Sequence, residues 1–183
     1  MWAINQPYMG INCAPDLTGR QPTPNTDQET ADLRDAINHY ASSAKIDPQV
    51  ILATILKESQ GCVRAVTTGG APVWNPGLMQ SYNGLGTCHP AGGAEVVPCP
   101  RQTIFQMVFD GVQSDADDTL VGMFNNRSAW GTPRAIYGGL RMYNSGQFYD
   151  WRQNPDLSVV NGVVNLYVSH IANYLRGWDG VHH

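Results

Sequence analysis

The sequence predicts one mainly α domain with long loops and at most a short β-hairpin. Three observations carry this. Apolar residues recur at helical spacing in several capped stretches, no run alternates convincingly at strand period, and no internal repeat is visible. At 183 residues, 42% hydrophobic, the chain is long enough for one core, and nothing suggests a second. Residues 1–25 read as an irregular N-terminal arm, and 26–183 as one compact unit.

The arm is rich in Pro, Asn and Gly. Thr26-Asp27-Gln28-Glu29 is a capping-box pattern. It opens a helix to about Ser43, with Leu33, Ala36, Ile37 and Tyr40 as its apolar stripe. His39 falls beside that stripe and is read as structural. Asp47 is a good N-cap, and Pro48 suits the first helical position of a second helix. Gly61 is the expected stop.

From Cys62 to Cys99 the chain is mostly loop, a length that usually means function. Trp74 and Tyr82 in it either stack on a ligand in a cleft or cover the core. Further helices are expected over Pro100–Gln113, Asp117–Asn125, Thr132–Tyr143 and Val160–Arg176. Asn154-Pro155 marks a turn.

In the second helix Ile51, Leu52, Ile55, Leu56 and Ser59 form a broad apolar face, and the opposite side is only weakly polar. Such a helix should be mostly buried. Glu58 sits at the border of that face in the last turn. Partial burial and the negative end of the helix dipole both push its pKa up. A carboxylic acid that keeps its proton near neutral pH can serve as a general acid. The alternative is a rim glutamate in water or in an ordinary salt bridge.

The residues after Glu58 bear on that choice. Glu58-Ser59, then a Gly-rich loop, then Gly77-Leu78-Met79-Gln80 resembles the soluble lytic transglycosylases and goose-type lysozymes of glycoside hydrolase family 23. Tyr143-Asn144-Ser145-Gly146 looks like that family's Tyr-Asn-x-Gly segment. Ile104–Gly111 and Tyr167–Asn173 look most like secreted fungal members. The match covers about Val50 to Asn173.

The resemblance implies a lysozyme-like fold with Glu58 as catalytic acid. It implies that Gln80 and the backbone of Gly77, Leu78 and Met79 position an N-acetyl sugar. Tyr143 and Asn144 would face the cleft, Tyr143 hydrogen-bonding to Glu58 and holding its proton; Ser59 would order the cleft wall, and Trp74 and Tyr82 would be placed to stack on sugar rings.

Cleaving a glycosidic bond needs a proton for the leaving oxygen and stabilisation of an oxocarbenium-like centre, usually from two carboxylates. No Asp or Glu lies between Ser59 and Gln80. Ser81 and Tyr82 stand where goose-type lysozymes carry acidic residues. Glu95, Asp110 and Asp115 come later, with nothing to place them opposite Glu58; Asp110 reads as structural. A single-acid mechanism is the result, in which the substrate's own 2-acetamido group assists. Either the sugar's 6-hydroxyl or a water completes the reaction, and both outcomes stay open.

The expected substrate is peptidoglycan, cut at the β-1,4 bond between N-acetylmuramic acid and N-acetylglucosamine. Chitin is the rival, since it shares the N-acetylglucosamine unit. The net charge of -4 mildly favours an uncharged polymer. A non-catalytic glycan-binding module is the alternative of a different class.

With no basic run, nucleic acid is not an expected partner. No apolar run is long enough to span a membrane. A monomer is expected. The four cysteines suggest two disulfides and a secreted, extracellular protein. Cys88 and Cys99 bracket a Pro/Gly loop and are expected to pair; Cys13 would then tie the arm to Cys62. Paired cysteines exclude a Cys-His nucleophile. His89 adjoins Cys88, but no zinc-ligand spacing accompanies it, so no metal or cofactor is expected. Met1–Asn12 lacks the regions of a signal peptide, and the chain is read as a mature form without its leader. His182-His183 are read as native or added. Asn126-Arg127-Ser128 is an N-glycosylation sequon.

Overall fold

Helices dominate the computed structural model, which describes residues 1–11, 13–16, 18–115, 118–125, 132–146, 156–160 and 163–179. The Asn126 sequon, the Asn154-Pro155 turn and His182-His183 lie outside these residues. In chain order come α1 (Trp2–Asn5), a 3-10 turn (Gln6–Tyr8), α2 (Asp27–Ala44), α3 (Pro48–Ser59), β1 (Thr68–Gly70) and β2 (Val73–Asn75). Next come α4 (Arg101–Val112), α5 (Leu120–Asn125), α6 (Pro133–Ser145), β3 (Val159–Val160), β4 (Val163–Val164) and α7 (Tyr167–Leu175). No helix among the described residues is long and apolar enough to cross a membrane.

The caps form as the sequence predicts. The Thr26 hydroxyl accepts from the Glu29 N–H, and the Glu29 carboxylate accepts from the Thr26 N–H. Asp47 accepts from the Gln49 N–H at 2.8 Å. Gln60, not Gly61, is the first left-handed residue after α3, at φ 55°.

Every residue from Val50 to Leu56 is buried, so α3 is a core helix rather than an amphipathic one. It packs against α2 on one side and α7 on the other, while α4 lies on α2 and α6 joins α5 to α7. The main core is continuous across these helices.

Three expectations need correction. The arm is not wholly irregular, because Trp2–Tyr8 forms helical turns. The Asn5 side chain donates back to the Met1 carbonyl and closes the first turn. The last helix begins at Tyr167, not Val160. The β-branched run before it pairs as a second hairpin, Val159 with Val164 and Val160 with Val163. The sequence between those pairs is Asn-Gly, the strongest short hairpin signal, and it outweighs the helical spacing. The helix expected from Asp117 starts only at Leu120. The cleft-loop hairpin is present, β1 pairing antiparallel with β2.

Both disulfides form as expected, Cys13–Cys62 and Cys88–Cys99. The first ties the arm beside the end of α3. Asn25 reinforces it, donating to the Gly61 carbonyl and accepting from the Val63 N–H.

Candidate active site

Glu58 sits in the last turn of α3 and lies where two cavities meet. The first, about 570 Å³, is lined by Tyr82, Asp118, Tyr143 and Asn144. The second, about 700 Å³ and more apolar, runs past Trp74 to the arm and the Cys88–Cys99 loop. Glu58, Thr68 and Gln80 line both. The Thr68 hydroxyl donates to the Gln80 side-chain oxygen at 2.7 Å, which fixes the divide between the two. The Tyr82 and Trp74 rings are exposed, so neither covers the core.

Burial raises the pKa of Glu58 to about 7, against the pull of a hydrogen bond from Tyr167 and the charge of Lys57. The Tyr167 hydroxyl donates to Glu58 Oε1 at 2.6 Å. That bond corrects the expectation for Tyr143. Tyr143 instead donates to the Met79 carbonyl at 2.8 Å, pinning α6 to the turn that carries Gln80. Burial, then the nearby Glu58 charge, raises the pKa of Tyr143, so it stays protonated.

Replacing Tyr167 with Phe removes the donor that favours ionised Glu58. The expected result is a further upward move of the Glu58 carboxyl, read by 13C NMR titration of the folded variant.

Gly77-Leu78-Met79-Gln80 forms a tight turn. Gly77 has φ +73°, and a Cβ there would sit 2.7 Å from the Gly86 carbonyl oxygen. Leu78 and Met79 are fully buried. Their side chains therefore pack in the core and do not face a ligand. Gln80 is held by its amide, which donates to the Gly77 and Val66 carbonyls. The Ser59 side chain is buried against its own helix, donating to the Ile55 carbonyl, and its residue borders the second cavity.

Of the later carboxylates, Asp110 is structural as expected, accepting from the Leu85 and Gly86 N–H groups. Glu95 accepts from Thr23, tying the loop to the arm. Asp115 is exposed just beyond the end of α4. His39 is exposed, packs edge-on to Tyr40 and lines neither cavity. Cys88, the thiolate a zinc site would have needed, is oxidised, and no metal-binding cluster occurs among the described residues.

No protein-family model, curated protein or solved structure matches this chain. The site therefore stands on its own geometry and on the sequence motifs around Glu58, Gln80 and Tyr143.

Sequence reasoning missed two residues. Tyr167 reads as core from its spacing, and nothing in a helical stripe announces where a hydroxyl points. Asp118 lies just before α5 with no motif around it, yet it joins Glu58 in the first cavity.

Proposed function

We propose that this protein is a glycoside hydrolase of the lysozyme-like type, cutting the β-1,4 bond next to N-acetylmuramic acid in peptidoglycan. One observation carries the proposal. A glutamate pushed to about 7, held by a tyrosine hydroxyl, sits where two cavities meet, with an exposed aromatic ring in each. A polymer lying across both cavities presents its scissile oxygen at Glu58, with sugar faces available to Tyr82 and Trp74.

Glu58 protonates the leaving oxygen. The substrate's acetamido group stabilises the positive centre at the anomeric carbon. Glu58, now a carboxylate, then removes a proton from water or from the sugar's 6-hydroxyl. The Gln80 side-chain oxygen, which accepts one bond from Thr68, and the Asn144 amide N–H groups offer polar contacts at the cavity wall for the N-acetyl and hydroxyl groups. Two disulfides and the abundance of small polar residues favour an extracellular setting.

The net charge of -4 keeps one second reading in play, the same chemistry on uncharged chitin. Digestion of purified peptidoglycan and of chitin oligomers, with mass spectrometry of the fragments, separates the two. The masses also distinguish hydrolysis from anhydro-sugar formation. Binding without any cleavage, from acidic to neutral pH, would sink the enzyme reading.

The acid must be protonated in the free enzyme. Its proton is lost as pH rises through about 7, so kcat/KM is expected to fall across that range. A pH–rate profile flat from about 5 to about 9 would contradict Glu58 as the acid.

A further inference from the structure

Arg141 is a fully buried arginine on α6 that the mechanism above does not use. Its guanidinium lies over the Tyr167 ring, 5.7 Å from the centroid. It donates to the side-chain oxygens of Asn144 at 3.1 Å and Asn165 at 2.9 Å. Asn165 in turn donates to Asn144 at 3.0 Å and accepts from the Tyr167 N–H at 3.0 Å. The cation thus grips Tyr167 twice, by the face of its ring and by the amide that opens α7. From Tyr167 the next contact is Glu58 itself.

Resting on the glycosidase reading, we infer that Arg141 is a positioning residue. It holds Tyr167 on Glu58 through Asn165 and a cation–ring contact, and holds Asn144 at the rim of the first cavity. An arginine suits this task better than a lysine, because its Nη2 serves both amide oxygens while the flat face of the guanidinium lies on a ring. The α6–α7 junction is also where a small slip matters most. Tyr167 starts its helix, so a shift of the first turn moves the hydroxyl directly.

Glu58 is faced by Lys57 on α3, Tyr167 on α7, Tyr143 on α6 and Asp118 across the cavity, and His170 on α7 faces Lys57. Arg141 acts on Tyr167. Releasing Tyr167 removes a donor to the Glu58 carboxylate. That loss pushes the Glu58 carboxyl upward.

The test compares wild type, Arg141→Met, Arg141→Lys and Asn165→Ala. Each is measured by 13C NMR titration of the Glu58 carboxyl and by steady-state cleavage of peptidoglycan. In folded Arg141→Met the carboxyl should titrate above its wild-type position, and kcat should fall about tenfold with KM little changed. Arg141→Lys, which keeps a cation at the ring, should lie between. An unchanged titration and kcat in Arg141→Met, with only the melting temperature lowered, overturns the assignment. So does a rise in KM alone, or an Arg141→Lys variant no better than Met. If Arg141→Met does not fold, Asn165→Ala decides on the same readings. If wild type cuts no glycan, the glycosidase reading fails, while the NMR titration still reports on the Arg141 linkage.

Discussion

Glu58→Gln is expected to lower the rate of glycan cleavage by about a thousandfold, the scale of a lost general acid. The amide keeps the shape of the side chain and can still accept the Tyr167 hydrogen bond, so binding should survive. Retention of glycan by the variant, checked by co-sedimentation with insoluble peptidoglycan, separates lost chemistry from lost affinity. Stability should move the other way. Burial raises Glu58 to about 7 from an ordinary 4.5, so the folded state holds its proton more tightly than the unfolded chain. That favours folding below pH 4.5. The advantage is lost as pH rises through about 7. The glutamine carries no such dependence, so above about pH 7 the variant should melt at or above the wild-type temperature. A variant that cuts glycan at the wild-type rate would remove Glu58 from the reaction.

Asp118→Asn is the natural companion. If the substrate's acetamido group carries the positive centre, losing Asp118 costs far less than losing Glu58. A loss of similar size would make the reaction a two-carboxylate one. Asp118 shares the first cavity with Glu58, which is what makes the comparison decisive.

The fold was largely legible because its helices announce themselves locally. Thr26 and Glu29 cap α2, Asp47 and Pro48 open α3, Thr132 caps α6, and each signal acts within a turn of the chain. Glu58 was legible for the same reason, being placed by the phase of one helix. What failed was long-range. Whether Tyr143 or Tyr167 reaches Glu58 depends on how α6 and α7 pack on α3, and both tyrosines have equal claims by spacing. Asp118 reaches the cavity by the path of a loop, which leaves no periodic trace. Leu78 and Met79 sit in a motif that reads as substrate contact, yet their burial shows that two of its three side chains serve packing. The second hairpin was missed because its valines fit a helical stripe and a strand alike, although the Asn-Gly between them signals a turn.

Arg64→Met should cost about 3–5 kcal/mol, because it strands a buried carboxylate. Arg64 is fully buried and Glu29 nearly so, and they pair with Arg64 Nη2 donating to Glu29 Oε2 at 2.9 Å. Arg64 also donates to the Thr23 and Pro24 carbonyls, and Glu29 accepts from the Cys99 N–H. One ion pair thus joins the arm, α2, the loop after α3 and the Cys88–Cys99 loop. Burial works against charge on Glu29, but bonds from Arg64, Thr26 and Cys99 overcome it and hold the carboxyl at about 2. Its folded pKa is depressed, so the stability it contributes is present above 4.5 and lost as pH falls towards about 2. The melting temperature of Arg64→Met should fall by roughly 10 °C at neutral pH. The double variant with Glu29→Leu should lose less than the sum of the single losses. The arm and the Cys88–Cys99 loop wall the second cavity, so the same substitution should weaken glycan binding while sparing the acid. A variant that melts early yet keeps wild-type KM below its transition would show that the two disulfides alone hold that wall.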